Sequence, residues 1–424
     1  MSSAPLLAEP PSPHATPRLP AAARRLLTGT ALSALGNGLV LPFLVVYLHD
    51  VRGMSTSVAG LVIAWQAVIG FAIAPLAGAL IDQVGPRRVV VVSPLVMAGG
   101  AAGYALVQVP WQAFTTATVL AVGGAAMWPG VSTLMARIVP EEQRQRAFGL
   151  QFMLLNLGIG LGGLISGLAV DTSRPITFER LYLVDGLTFL LYGLIVSTLR
   201  DVGGPLPATK EHEQGGYRDV LRDRAMLRLS AVALVLLASG YGALELGYPA
   251  FVTQVLHVAP RVIAFGFVAN TLAIVLGQMF AIRLIQGRSR SRVLATVGVL
   301  WAVSWGVLGL AVPISTQVVV VTLVLVAPVV FALGETIFQP VMPALVNELA
   351  PAHLRGRYNA MSSLVWNVAG VVGPAIAGLL LGAHLGGLWI AVVAGGCLVA
   401  GAAALRLRRA LTPAQDGLLP AEVG

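Results

Sequence analysis

The sequence contains few charged residues. Asp, Glu, Lys and Arg make up 11% of the 424 residues, whereas hydrophobic types make up 57%. A soluble globular domain carries about 25% charged residues, so this chain has too little charge to cover a surface that faces water. A soluble fold is therefore excluded, and the solvent that remains is lipid.

Cysteine and lysine are nearly absent as well. Cys397 is the only cysteine, so the chain forms no intramolecular disulfide and no cysteine-ligated metal cluster. Lys210 is the only lysine, and no GxxxxGK motif precedes it, which excludes ATP hydrolysis through a phosphate-binding loop. The six histidines lie in tails, loops or helix ends without metal-ligand spacing. We therefore expect no cofactor and no enzymatic activity.

Twelve apolar segments account for the hydrophobic excess. Most have 20 residues or more, which is enough to cross a hydrocarbon layer of about 30 Å as an α-helix. A helix is required because lipid offers no hydrogen-bond partner to a free backbone group. The sequence therefore predicts an all-α membrane protein with twelve transmembrane helices. We place them at 26–48, 58–80, 89–109, 112–135, 147–170, 181–199, 228–251, 262–285, 293–312, 317–339, 358–381 and 384–405.

The distribution of Lys and Arg predicts the orientation. If the N-terminus lies inside, the inside segments carry 23 of these residues, and the outside loops carry only Arg52, Arg174, Arg180 and Arg261. Because basic loops tend to stay in the cytoplasm, we expect both termini to be cytoplasmic and the protein to lie in the cell membrane. This topology explains the net charge of +9, so nucleic acid is not an expected partner.

The second half of the chain repeats the first. Seven residues recur with an offset of 211: Pro129, Pro140, Arg144, Arg146, Asn156, Gly162 and Gly167 match Pro340, Pro351, Arg355, Arg357, Asn367, Gly373 and Gly378. Such a parallel repeat predicts a 6 + 6 transporter with two pseudo-symmetric bundles and a site where they meet, near mid-membrane.

The repeat divides the chain into five parts. We assign six-helix bundles to 24–199 and 228–405 and a polar cytoplasmic linker to 200–227. The ends, 1–23 and 406–424, are predicted to be cytoplasmic tails. The first is rich in Pro, Ala and Ser, and we expect it to be disordered.

The turn between helices 2 and 3 resembles the signature of the major facilitator superfamily. It reads Gly78-Ala-Leu-Ile-Asp82-Gln-Val-Gly85-Pro-Arg87-Arg88 and differs from the family pattern G-x-x-x-D-[RK]-x-G-x-[RK]-[RK] only at Gln83. Gly78 permits close helix packing, Gly85 permits a tight turn, and Arg87 and Arg88 hold the turn at the cytoplasmic face. The resemblance implies a gate in which Asp82 binds the start of helix 11 in the outward-open state, where the helix dipole stabilises a carboxylate. The corresponding turn, 286–292, has basic residues but no acid.

Two further stretches are similar to the drug-efflux branch of that family. They read Gly334-Glu335-Thr-Ile-Phe338-Gln339-Pro340 and Arg355-Gly-Arg357. This resemblance implies exchange of protons for small lipophilic compounds. Two positions depart from the branch, because the helix 4 arginine is Val119 and the proline of the helix 5 antiporter motif is Gly163.

Two carboxylates lie well inside apolar helices, Glu245 in helix 7 and Glu335 in helix 10. A charged group is costly there, so each is predicted to bind and release a coupling proton. Each has aromatic neighbours at spacings of i, i+4 and i+7, which should place the three residues on one helix face. Aromatic rings beside an acid would suit a lipophilic, cationic substrate. The two trios are Tyr241, Glu245 and Tyr248, and Phe331, Glu335 and Phe338.

Other polar side chains inside the helices are candidate substrate contacts. Asn37, Gln339, Asn156 and Asn367 would either bind substrate or form hydrogen bonds between helices, and the sequence leaves both alternatives open. Asp185 lies near the outer end of helix 6 and is predicted to be a cap.

These features favour one of three functions. The leading hypothesis is a monomeric, proton-driven exporter of small lipophilic compounds that works by alternating access, with the substrate, protons and the lipid bilayer as its partners. The alternative is an importer or facilitator of a polar metabolite such as a sugar. The helices expected to line the cavity are mostly apolar, which disfavours this alternative. A membrane enzyme or receptor is the least favoured, since clustered catalytic groups and a soluble domain are both missing.

Overall fold

The computed structural model describes residues 18–199, 202–205 and 216–418, and these residues contain no strand. Twelve helices are long and apolar enough to cross a membrane, as the sequence predicts. They are α1 (Ala21–Val51), α2 (Thr56–Val84), α3 (Pro86–Ala105), α4 (Pro110–Ile138), α5 (Glu141–Ala169), α6 (Pro175–Ser197), α7 (Arg224–Gln254), α8 (Pro260–Ile285), α9 (Arg290–Gly309), α10 (Gln317–Leu349), α11 (Arg355–Gly382) and α12 (Gly386–Ala410). A one-turn linker helix, Tyr217–Val220, lies before α7.

The ends of the two bundles differ from the prediction. Helix α1 begins inside the tail that was expected to be disordered, and Leu19 and Ala23 are buried. Residues 18–23 are therefore packed, while 1–17 lie outside the described residues. At the other end, α12 continues to Ala410, and residues 411–418 pack against the turn before α9 rather than extending as a tail. Residues 419–424 are outside the described part.

The predicted linker is shorter than expected. Helix α7 begins at Arg224, because the Asp223 carboxylate caps it and accepts hydrogen bonds from the N–H groups of Ala225 and Met226. The described parts of the linker are residues 202–205 and the chain from Gly216 onward, and 200–201 and 206–215 are not among the described residues.

The outer surface of the helices is apolar. Leu168 and Leu276, for example, are 84% and 79% exposed in the isolated chain. A water-soluble monomer rarely exposes large contiguous apolar patches, whereas lipid accepts such a surface. The exposed residues therefore support the transmembrane assignment.

The two six-helix bundles pack in the same way. In the first half, contacts join α1 to α5 and α6, α2 to α4, and α3 to α4 and α6; in the second, they join the helices six places later. Repeat-related glycines permit the closest approaches, because Gly162 of α5 lies against α1 and Gly373 of α11 lies against Gly242 of α7. The structure thus confirms the parallel repeat.

The halves meet mainly where α2 contacts α11 and where α5 contacts α8 and α10. We call the end of the bundle that carries the α1 N-terminus, the α2–α3 turn and residues 411–418 the terminus face. This is the face that the sequence predicts to be cytoplasmic. The polar links between the halves described below all lie there.

Prolines inside α10 shape the second half. Because proline has no N–H, Pro328 frees the carbonyl of Val324, and Pro340 frees the carbonyl of Thr336. The freed carbonyls accept hydrogen bonds from other helices, 3.0 Å from the Tyr248 hydroxyl of α7 and 2.9 Å from the Gln278 amide of α8. Tyr248 is consequently fixed in the core of the bundle, where it is fully buried.

Helices α1 and α7 are both irregular. Helix α1 contains a 3-10 turn at Leu41–Phe43 and a π-helical turn at Tyr47–Val51. Helix α7 is interrupted after Ser239 and has a π-helical turn at Ala243–Gly247. Irregular backbone at membrane depth is typical of segments that line a cavity or are enclosed by protein.

Candidate functional site

Glu335 is a buried acid in the middle of the second bundle. Its side chain lies on α10 and is 4% exposed. The Asn270 amide of α8 donates a hydrogen bond of 2.6 Å to its Oε2 and a second one of 3.0 Å to the Pro328 carbonyl. The amide thereby fixes one carboxylate oxygen with a donor that carries no charge. A charged partner for Glu335 is absent among the described residues.

Tyr241 connects this acid to the surface of the bundle. Its hydroxyl interacts electrostatically with Glu335 and accepts a hydrogen bond of 3.0 Å from the Gln339 amide. Tyr241 and Gln339 are half-buried, whereas Asn270 and Glu335 are buried. The four residues form a polar chain across α8, α10 and α7 that runs from the core toward the exposed side of α7.

Aromatic rings enclose the polar chain. The Trp301 ring of α9 stacks on Phe331 with centroids 4.6 Å apart, and Tyr241 contacts the edges of both rings. On the other side, the Trp366 ring of α11 lies 4.9 Å from Tyr241 and 6.3 Å from Phe338. Polar groups surrounded in this way have little access to water. The half-buried Tyr241 and Trp366 form the outer wall of this cage.

The first predicted trio lies together on α10, and its role in coupling and substrate binding stays a prediction. Phe331, Glu335 and Phe338 are all buried on one uninterrupted helix. The prediction for α7 is wrong in its geometry: Glu245 is exposed, while Tyr248 is fully buried. The π-helical turn between Tyr241 and Tyr248 changes the angle per residue, so a spacing of i, i+4, i+7 does not define one face there.

The remaining candidate contacts are not gathered around Glu335. Asn37 and Asn156 are half-buried on α1 and α5, and Asn367 is exposed on α11. The Asn156 amide donates to the Phe152 carbonyl one turn earlier at 3.0 Å. None of these three side chains hydrogen-bonds to Glu335 in the described structure, so their contact with substrate stays a prediction.

Asp185 is not a helix cap. It lies in the middle of α6, is buried, and packs against Gly36 of α1, where an added Cβ would lie 2.7 Å from its Oδ1. The predicted helix 6 began at residue 181, six residues too late, which wrongly placed Asp185 near a helix end.

Asp82 joins the two halves at the terminus face. Its Oδ1 accepts a hydrogen bond of 2.6 Å from the N–H of Gly356, and its Oδ2 accepts bonds from the N–H and the guanidinium of Arg357 at 3.2 and 2.9 Å. These donors lie at the start of α11, as the signature implies. Gly78 makes the approach possible, because a Cβ there would lie 2.6 Å from that of Ala360.

The rest of the signature stabilises the turn within the first half. Gly85 has a φ of 87°, which favours glycine, and it packs against the backbone of Gly204 and Pro205 in the linker. The Arg87 guanidinium donates to the Ser197 carbonyl at 2.8 Å, and Arg88 is exposed. A gating role for these three residues therefore stays a prediction, whereas Asp82 and Gly78 bridge the halves directly.

A second link between the halves lies nearby. Arg144 of α5 donates a hydrogen bond of 2.9 Å to the Glu348 carboxylate at the end of α10, and Arg290 of α9 approaches the same carboxylate to 3.6 Å. All three side chains are nearly buried, which makes these ion pairs less screened than surface pairs. Arg144 and Arg355 are related by the repeat, and each lies in the first turn of a helix that contacts the other half.

The sequence profile of the Major Facilitator Superfamily matches residues 26–257 and 231–423, so it covers both bundles. The chain belongs to the Major Facilitator Superfamily. It is thus a multi-pass membrane transporter.

Characterised relatives of this transporter are distant. It is 23% identical over 365 residues to the "Na(+), Li(+), K(+)/H(+) antiporter" of Planococcus maritimus, covering 79% of this chain and 84% of that one. It is also 23% identical over 366 residues to the "Quinolone resistance protein NorA" of Staphylococcus aureus (strain MRSA252), covering 83% and 87%. The crystal structure of the superfamily transporter FucP in the outward conformation superposes with a TM-score of 0.78 at 14% identity, covering 91% of this chain and 98% of FucP.

Sequence reasoning missed several residues of the transporter that the structure brings to the site. Asn270 and Trp301 contact the Glu335 cage from helices that carried no motif. Glu348 and Arg290 hold the second interhalf link. The only signal for Asn270 was its polarity inside an apolar run. Its partner could not be predicted, because the partner of a buried group depends on how neighbouring helices approach.

Proposed function

We propose that this transporter exports small lipophilic compounds in exchange for protons, and that Glu335 carries the proton. The observation that carries the proposal is a buried carboxylate at mid-helix whose hydrogen-bond partners are neutral. Burying a carboxyl group in this setting costs much less free energy when a proton neutralises it. Such a group binds a proton when it is enclosed and releases one when water or a cation reaches it.

Tyr241 supplies the route between the acid and the outer wall of the cage. The Glu335 carboxyl can exchange its proton through the Tyr241 hydroxyl, which also accepts a hydrogen bond from Gln339. The half-buried rings of Tyr241 and Trp366 would offer an apolar, π-rich surface to a guest. A lipophilic cation next to this wall would compete with the proton for Glu335, which is the requirement for exchange.

Glu245 has a different place in the proposal. It is exposed on the π-helical turn of α7 and interacts electrostatically with Tyr241, on the outer side of the cage. We assign it a second coupling role, in which it attracts the cation and the proton to Tyr241. Because Glu245 is more exposed than Glu335, we assign it the smaller part of the coupling.

The gate completes the cycle. Asp82 with the start of α11, and Arg144 with Glu348, close the terminus face. With the predicted orientation, the site would then open outward, where protons enter an exporter. Breaking these links would open the site to the cytoplasm, where substrate binds.

Two relatives support this function over import of a polar metabolite, since one is named a quinolone resistance protein and the other a cation/proton antiporter. A sugar would need several unoccupied amide and charged groups directed at one cavity. Here the Asn270 and Gln339 amides already bond to Glu335 and Tyr241.

The test is uptake of a fluorescent lipophilic cation into inverted vesicles whose lumen is made acidic. Glu335→Gln should abolish transport driven by the gradient, and Glu335→Asp should retain part of it. Glu245→Gln should slow transport less than Glu335→Gln does. Glu142→Gln, which removes an exposed acid at the start of α5, serves as the matched control. Gradient-driven transport at the wild-type rate by Glu335→Gln would overturn the proposal.

A further inference from the structure

The segment 411–418 is built into the terminus face by Asp416. This residue is 1% exposed. Its Oδ1 accepts a hydrogen bond of 2.8 Å from the Ser291 N–H, and its Oδ2 accepts one of 2.6 Å from the Ser289 hydroxyl. The Ser291 hydroxyl reaches Oδ2 at 3.2 Å, and the Arg408 guanidinium lies 3.8 Å from it. A carboxylate with this many donors is firmly held.

The same segment fixes the position of Arg290. The Arg290 N–H donates to the Asp416 carbonyl at 2.9 Å, and its guanidinium donates to the Gln415 carbonyl at 2.8 Å. The guanidinium also faces Glu348, which binds Arg144 of the first half. A continuous set of contacts therefore leads from the end of the chain to the second link between the halves.

The repeat shows that the two corresponding turns differ in charge. The turns α2–α3 and α8–α9 correspond, because Gly85 and Gly287 both adopt the left-handed conformation, with φ of 87° and 70°. Three residues earlier, the first half has Asp82, whereas the second half has Leu284, which is exposed. The basic turn of the second half thus has no acid of its own, and Asp416 lies against it.

We propose that Asp416 is a positioning residue of the transporter's gate. It holds the α8–α9 turn so that Arg290 orients Glu348 toward Arg144. Loss of the Asp416 carboxylate releases Arg290 and weakens the second link while leaving the Asp82 link intact. The terminus face then opens more often.

The experiment measures this opening without using transport. Spin labels are placed at Arg24→Cys and Gln286→Cys, exposed positions of the two halves on the terminus face, in a Cys397→Ala background. The fraction of molecules with the longer label distance is measured by double electron–electron resonance. Asp416→Asn should raise the ratio of open to closed molecules about threefold or more, since hydrogen bonds to a charged acceptor are lost. Asp416→Glu should restore part of the closed population.

Two backgrounds separate positioning from general loss of structure. In an Arg144→Gln background, Asp416→Asn should have no further effect, because the link that it supports is already gone. In an Asp82→Asn background its effect should persist. A chain that ends after Leu418 keeps Asp416 and should behave as the wild type.

Three results would overturn the proposal. One is an unchanged distance distribution in a folded Asp416→Asn protein. Another is the same effect of Asp416→Asn with and without Arg144. The third applies if Asp416→Asn fails to fold. Ser291→Ala, which removes one donor to the carboxylate, should then give a smaller increase in the open population. An unchanged open population in Ser291→Ala would overturn the proposal. The distance measurement needs neither substrate nor a proton gradient, so its result does not depend on whether the efflux proposal is correct.

Discussion

The bond between Asp82 and α11 gives the sharpest test of how the halves are held together. In Asp82→Asn the side chain keeps one acceptor oxygen but loses its charge. Its new NH₂ group faces either the Gly356 N–H or the Arg357 guanidinium, both of which are donors. One of these donors is therefore left without a partner in a contact that is nearly closed to water.

The structure sets the size of the effect. A hydrogen bond to a charged group is worth about 1.5–3 kcal/mol, and a carboxylate at a helix N-terminus adds up to about 2 kcal/mol when partly buried. Part of this is retained by the remaining oxygen, so we expect the closed form to lose about 2–3 kcal/mol relative to the open form. This corresponds to a change of roughly 30- to 150-fold in the ratio of closed to open molecules.

Spin labels at positions 24 and 286 measure this ratio directly. Asp82→Asn should shift most of the population to the longer distance, while the control Glu142→Gln should leave the distribution of the wild type. Thermal unfolding in detergent checks that the variant is folded. A folded Asp82→Asn protein with the wild-type distance distribution would refute the assignment of this bond as the main link of the gate.

Two further predictions concern the same face. In Gly356→Ala the added Cβ would lie 2.5 Å from the Gly78 carbonyl oxygen and 2.6 Å from the Asp82 carboxylate. This variant should therefore open the terminus face as widely as Asp82→Asn does in the spin-label assay. An unchanged label distance would show that α2 and α11 tolerate the extra atom. Burial raises the pKa of Tyr217 to about 12, and its hydroxyl donates to the Pro75 carbonyl at 2.6 Å. Docking of the linker helix should therefore be fully stable below pH 10 and lost as the pH rises through about 12, and Tyr217→Phe should remove this step from the tyrosinate absorbance titration. A titration curve that is the same with and without Tyr217 would contradict this.

The sequence predicted the fold because the solvent leaves few choices. Lipid requires each long apolar run to become a helix, so the number of helices and their antiparallel order follow from composition and spacing. The repeat of Gly162 and Gly373 predicted that both bundles pack alike, since a close approach of helices needs the same small residues in both. The turn around Gly85 and the contact of Asp82 with α11 were predicted through the resemblance of eleven residues to a family signature.

Other features depended on atoms that lie far apart in the sequence. The π-helical turn placed Glu245 and Tyr248 on different sides of α7. The pattern of apolar residues does not mark this turn, because one extra residue in a turn leaves the segment as apolar as before. The predicted start of helix 6 misplaced Asp185, since apolar runs mark helix ends only within a few residues.

The sequence by itself determined the solvent, the twelve helices, the twofold plan and the two membrane acids. Only the tertiary structure decided which acid is enclosed, which groups bond to it, and that Asp416 bonds to the α8–α9 turn. The physical reason is one of range. Helix formation is a local response to lipid, whereas the partner of a buried polar group depends on how closely helices from distant parts of the chain approach each other, to within fractions of an ångström.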